Sequence, residues 1–259
     1  MKVTIIGSGN VATVLGKMIK KGGHDIVEVA GRNKNEVKKL TTELHAAENY
    51  SLDRINSLSD IYIIAVSDKA INEIASQLRL GNKLVVHTAA AVPANVLEQC
   101  SSSFGVIYPL QTLNKEANTI PPMPLLVNGN NENTTKQLLK FCSQLSENVQ
   151  VATDEERLKL HLCAVLASNF TNHLFALTQK YCTDNGIDFN LLLPIIEETV
   201  NRIKTHNAAN VQTGPAIRND ANSLDKHRAL LSDNPSLLSL YDVLTNSIID
   251  FYKPEEVRQ

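Results

Sequence analysis

Apolar residues run together and then fall into helical spacing from the start of this 259-residue chain. Val3, Ile5 and Ile6 form a short run rich in β-branched residues, which predicts a buried strand. Val11, Val14, Leu15, Met18 and Ile19 then recur at i, i+3, i+4 and i+7, which predicts a helix stopped by Gly22-Gly23. The alternation repeats. Ile26–Ala30 reads as a strand, residues 35–46 as a helix carrying Val37, Leu40 and Leu44, and Ile61–Val66 as a strand buried on both faces. A weak strand is predicted near Tyr50–Leu52, and a helix through Ile71, Ile74, Ala75 and Leu78 with Asp68 as its cap. Lys83–His87, Phe104–Tyr108, Leu125–Val127 and Val149–Val151 supply further strands, with helices opened by Pro93 and over residues 134–145. Strands alternating with helices predict an α/β fold, a doubly wound, mostly parallel sheet with right-handed crossovers.

From Thr153 onward the pattern holds no strand. One helix is predicted from about Glu155 to Cys182, roughly 40 Å at 1.5 Å per residue, with Asp154 at its cap. It is apolar nearly all round, which predicts burial. At 100° per residue, His161, Ser168, Asn172 and Gln179 fall within about 20° of one line, with Asn169 about 80° away. Unpaired buried polar groups cost about 1–3 kcal/mol each, so this row needs partners on neighbouring helices or in a cleft. A helix over residues 190–204, disturbed early by Pro194, leads to a polar loop at 206–222 that holds Arg218. Asn234-Pro235 caps a last helix. The expected organisation is an α/β domain over residues 1–152 and a smaller all-helical domain over 153–259.

Composition narrows the classes. The net charge of −2, with dispersed Lys and Arg, gives no field for nucleic acid. No apolar segment is expected to reach the roughly 18 residues that span a bilayer, and the amino end lacks a signal-peptide pattern. Cys100, Cys142, Cys163 and Cys182 show no zinc spacing, and Cys163 and Cys182 fall on the helix expected to be buried. The cysteines read as reduced packing residues, which predicts a cytoplasmic protein with no metal and no membrane or nucleic-acid partner.

Strand, glycine turn and helix at Gly7-Ser8-Gly9-Asn10-Val11-Ala12 give G-x-G-x-x-A the context of a dinucleotide fingerprint. Gly7 permits the turn, Gly9 lets backbone approach a pyrophosphate, and Ala12 allows close helix–strand packing. Gly7, Ser8, Gly9, Asn10 and Val11 are therefore candidate cofactor contacts at the positive end of a helix. The tip of the second strand reads Ala30-Gly31-Arg32-Asn33-Lys34, with Glu28 inside the strand. Arg32 suits a 2′-phosphate, so Arg32 and Asn33 favour NADP over NAD. Val66-Ser67 and His87-Thr88 end central strands, where ligands of open α/β sheets bind. Each also has a structural reading, as a helix start and as a satisfied core histidine. Arg218 suits a carboxylate or phosphate, or a solvated loop.

These stretches together resemble a family of Rossmann-like oxidoreductases of unassigned substrate, which join a dinucleotide domain to a helical domain like that of 6-phosphogluconate dehydrogenase. The motifs are Gly7–Ala12, Ala65–Asp68, His87-Thr88, Tyr108–Thr112, Leu160–Asn169 and Thr213–Pro215. The resemblance implies NADP binding, a homodimer through the helical half, and a site near His87, Gln111, His161, Ser168 and Asn169. Two departures stand out. Tyr108 stands where such proteins often carry His, and the Lys/Asn pair of related hydroxyacid dehydrogenases is absent, because Lys159 is followed four residues later by Cys163. The expected function is hydride transfer between NADP and a small C=O or C=N substrate in an interdomain cleft. His161 is the candidate acid, Ser168 and Asn169 orient substrate, and Gln111, Asn172 and Arg218 are substrate contacts. A non-catalytic NADP-binding sensor or scaffold is the alternative.

Overall fold

Among the described residues eight strands form one sheet: β1 (Lys2–Ile6), β2 (Asp25–Ala30), β3 (Ala47–Asn49), β4 (Ile61–Ile64), β5 (Leu84–His87), β6 (Ser103–Pro109), β7 (Leu125–Gly129) and β8 (Val149–Val151). They lie in a computed structural model that describes residues 1–117 and 119–253. The order is β3-β2-β1-β4-β5-β6-β7-β8, parallel throughout except for the antiparallel pair β6–β7. Helices α1 (Asn10–Lys21), α2 (Lys34–Leu44), α3 (Asp68–Gln77) and α4 (Glu132–Cys142) cover the sheet. Ile5 packs with Leu15, Ile19 and Leu40 on one face, while its neighbour Ile6 packs with Ile64 and Ile71 on the other. Successive strand residues point to opposite faces, so continuous apolar runs such as Ile61–Ile64 are what a sheet buried on both sides requires. The doubly wound α/β expectation holds.

Locally, several expectations change. The weak strand lies at Ala47–Asn49, a turn earlier than the Tyr50–Leu52 stretch, and the segment after Pro93 is a 3₁₀ turn, Ala94–Leu97. Ser67, not Asp68, sits at the cap position of α3, without a side-chain bond. The cap of α5 (Asp154–Ala164) is Thr153, in a reciprocal box with Glu156. This frees the Asp154 carboxylate for other partners.

The chain divides into two compact units, Met1–Phe170 and the helical remainder from Thr171. The second holds α6 (Thr171–Asp184), α7 (Leu193–Thr205), α8 (Ala221–Leu230) and α9 (Pro235–Phe251). Pro194 stands in the first turn of α7, where its missing N–H disturbs nothing. Asn234 caps α9, accepting from the Leu237 N–H at 3.2 Å.

The long helix departs most from expectation. It runs from Asp154 to Asp184, but Val165–Phe170 is a π segment, so 3.6-residue spacing does not carry through it. It is also not buried: Leu162, Leu166 and Phe170 are each more than half exposed, and Cys163 is exposed as well. An all-round apolar helix within one chain finds no core here. By length and composition alone it could cross a membrane, so the expectation that no segment approaches that limit is corrected.

Candidate active site

The site is built where parallel strands end. Gly7 follows β1 at φ 129°, and a Cβ there would lie 2.0 Å from the Ala65 carbonyl oxygen. Only glycine lets the turn pass so close to the end of β4. Its N–H donates to the Ala30 carbonyl at 2.7 Å, tying the turn to the tip of β2. Gly9 is the opposite case, since a Cβ there would meet nothing within 4 Å. Gly9 is the cap residue of α1, and no side chain caps that end. The open space and the first-turn N–H groups fit a diphosphate.

A cleft of about 380 Å³ adjoins the turn. It is bounded by Gly7 and Ser8, by Ala30–Asn33, by Tyr50–Leu52, by Val66 and by the Ala70–Gln77 flank of α3. Arg32 is exposed at its edge, and the Lys34 ammonium sits 5.7 Å from the Tyr50 ring centre. Glu28 is buried within β2 and accepts from the Asn56 N–H at 3.2 Å, so no carboxylate from that strand reaches the tip. This charge pattern fits a 2′-phosphate better than a free ribose hydroxyl. Asn33 caps α2, accepting from the Glu36 N–H at 3.3 Å. The Asn10 amide oxygen accepts from the Lys115 N–H at 3.2 Å, and ion pairs Lys115–Glu36 and Lys39–Glu116 hold the same loop. Val11 packs against the core, and Ser67 is exposed at the head of α3.

His87 does not offer a side chain to a ligand. It is fully buried, with Nε2–H donating to the Pro93 carbonyl at 3.3 Å and Nδ1 accepting from the Ala89 N–H at 3.2 Å. One neutral tautomer satisfies both bonds, and burial pushes its pKa down to about 4. The ring braces the turn after β5, where Thr88 is also buried.

The same turn is gripped by a residue that the sequence reading missed. Arg157 is 1% exposed. Its guanidinium donates to the Ala90 carbonyl at 3.0 Å, to the Val92 carbonyl at 2.6 Å and to the Asp154 carboxylate at 2.8 Å. Asp154 in turn accepts from the Ala94 N–H at 3.1 Å. The head of α5 is thereby stitched to the end of β5. A buried charge stays buried only with such a full set of partners.

One turn beyond Arg157, His161 meets the end of β6: its Nδ1 lies 3.0 Å from the Tyr108 hydroxyl. Burial pushes the Tyr108 phenol above its ordinary range. Farther along, the Ser168 hydroxyl lies 3.3 Å from that of Thr112. Gln111 accepts from the Thr112 N–H at 2.9 Å, and Asn169 is exposed on the π segment. Asn172 and Arg218 belong to the helical unit, both exposed. Lys159 is spent in an exposed pair with Glu155 at 2.6 Å.

Fold and site together define a class, a dinucleotide-binding α/β protein continued by helices. Residues 2–91 match a family described as NADP oxidoreductase, coenzyme F420-dependent, and residues 123–248 match a domain described as of unknown function, DUF2520. A Bacteroides fragilis protein, provisionally described as an NADP oxidoreductase, is 33% identical with a TM-score of 0.88, covering 96% of this chain and 98% of its own. The chain belongs to this family of Rossmann-like NADP oxidoreductases, whose cofactor is NADP. A reductive aminase from Aspergillus terreus, solved with NADPH and ethyl-5-oxohexanoate, shares the fold at 15% identity and a TM-score of 0.70, covering 97% of this chain and 99% of that one. Glycerol-3-phosphate dehydrogenase of Staphylococcus epidermidis is 28% identical over 117 residues, 39% of this chain. That match covers 35% of the dehydrogenase, so the chain spans about a third of the curated relative's length.

Proposed function

We propose that this protein reduces a small C=O or C=N substrate with NADPH, with His161 as proton donor. The observation that carries the reading is the seat of His161. It stands on α5 against the end of β6, within the same unit as a glycine turn whose helix head is open to an anion. NADPH, when bound, supplies the hydride. The backbone of Gly7–Val11 would hold its diphosphate, and Arg32 its 2′-phosphate. His161 would protonate the substrate oxygen or nitrogen, histidine being the side chain most often used for such proton transfer. Ser168, Asn169 and Gln111 would orient the substrate. Asn172 and Arg218, on the helical unit, have side chains suited to a carboxylate or phosphate.

The test is NADPH oxidation over a panel of keto acids, ketones and cyclic imines, with wild type and His161→Ala. Turnover above the no-substrate control that falls at least a hundredfold in His161→Ala upholds the reading, since general acids typically contribute 10²–10⁴-fold. Undiminished turnover removes His161 from it. Tight NADPH binding with no turnover across the panel points to a sensor instead, a reading favoured by the commitment of Lys159 to Glu155 on the surface.

The same proposal includes a homodimer through the helices. Leu162, Leu166, Phe170, Leu191 and Ile195 are each more than half exposed in the single chain, more apolar surface than a solvated helix keeps. Cys100, Cys142, Cys163 and Cys182 are free thiols, in keeping with a cytoplasmic site of action.

A further inference from the structure

The seat of His161 contains a second group able to act on the imidazole. The Tyr108 hydroxyl lies 3.0 Å from Nδ1, and the two rings meet edge to face at 82°, centroids 6.0 Å apart. The imidazole is thus held at one nitrogen by a hydroxyl and along one edge by a ring. The helix beneath it is already fixed, because Arg157, one turn earlier, is locked to the Ala90 and Val92 carbonyls. What remains to be set is the rotation of the ring and the place of its proton.

Resting on the reaction proposed above, we infer that Tyr108 is a positioning residue, whose hydroxyl engages Nδ1 of His161 in its neutral and its protonated form alike, setting the neutral tautomer and leaving Nε2 to deliver the proton. A hydroxyl can donate or accept, and it rotates to suit. Toward the neutral ring Tyr108 donates to Nδ1, which places the ring proton on Nε2. Toward the imidazolium its oxygen accepts from Nδ1–H. The acid is the imidazolium, formed when the ring takes a proton from solvent at Nδ1 and the Tyr108 hydroxyl turns from donor to acceptor; in the transfer step its Nε2–H bond breaks and that electron pair stays on the ring. The new bond forms between that proton and the substrate oxygen or nitrogen, which has taken up negative charge as hydride reached its carbon. Nδ1 keeps its proton, bonded to the Tyr108 oxygen. Tyr108 itself stays un-ionised, because burial raises the cost of a phenolate there.

Tyr108→Phe keeps the ring and removes only the hydroxyl. Two measurements on the full chain test the inference. The first is the imidazole ¹⁵N spectrum of His161 at a pH where the ring is neutral, without cofactor and assigned with His161→Gln. The wild type shows the Nε2–H tautomer, and Tyr108→Phe moves the signals toward a tautomer average. The second is steady-state kinetics on a substrate from the panel above. There kcat falls about tenfold while KM for NADPH is unchanged, the loss of one hydrogen bond at the transition state. An unchanged imidazole spectrum overturns the inference, and so does a changed spectrum with unchanged kcat where His161→Ala has lost turnover. A changed spectrum with full turnover in His161→Ala removes the proposed reaction role of His161, and upholds Tyr108 as the residue that sets the ring.

Discussion

Replacing His87 by Gln should make the protein less sensitive to acid, and the size of the change follows from the burial of the ring. In the fold His87 is neutral and its pKa is near 4, against an ordinary value of 6.5. As pH falls below 6.5 the unfolded chain takes up a proton there before the folded chain does. The stability tied to this group is therefore intact above pH 6.5, declines by about 1.4 kcal/mol per unit below it, and is lost as pH falls through about 4. Between neutral pH and pH 4.5 the loss is about 2.5 kcal/mol. Gln can still donate to the Pro93 carbonyl and accept from the Ala89 N–H, but it does not titrate. Urea unfolding followed by far-ultraviolet circular dichroism at pH 7.5 and pH 4.5 reads both proteins. The variant starts less stable, and the gap narrows by about 2.5 kcal/mol at pH 4.5. His24, whose pKa burial also lowers, is present in both and cancels. Two curves that fall in parallel would refute the reasoning.

Four further outcomes are expected. Arg157→Met removes the guanidinium donor from two carbonyls and from Asp154 and should cost about 3 kcal/mol, read as a lower urea midpoint; a midpoint within error of wild type contradicts the stitch. Gly7→Ala should destabilise the fold, because its Cβ has no room beside Ala65, whereas Gly9→Ala should keep the melting temperature and weaken NADPH binding by on the order of tenfold in calorimetry. Arg32→Ala should weaken NADP on the order of tenfold to a hundredfold and leave NAD nearly unchanged; equal losses would exclude a 2′-phosphate contact. Sedimentation equilibrium should give twice the chain mass, and Leu162→Asp should shift it toward the single-chain mass.

The glycine turn and the sheet were readable because their signals are local. Gly7–Ala12 carries its geometry in its own residue types, and strands buried on both faces announce themselves as unbroken apolar runs. Arg157 was not readable. In Asp154-Glu-Glu-Arg157 it has the spacing of a solvated surface pair, and only the arrival of the Ala90–Ala94 turn, more than sixty residues earlier, shows that the guanidinium is enclosed. His87 was placed correctly at a strand end, but two backbone bonds engage its ring, and no pattern in the neighbouring residues reports them. The π segment has no residue signature at all, so regular spacing overstated the row from His161 to Gln179. Tyr108 stood out only as a departure from the His that similar proteins often carry there; its contact with His161, fifty-three residues on, is not visible in the sequence.

The stitch at Arg157 also governs where the chain can be cut. A fragment ending after β8 would keep every strand and still be unfinished, since the Ala90 and Val92 carbonyls and the Ala94 N–H all find their partners on residues 154 and 157. Anyone expressing the sheet by itself needs to carry the opening turns of α5 along with it. A growing chain, likewise, can hold the bend after β5 by His87 alone until those two residues have been made.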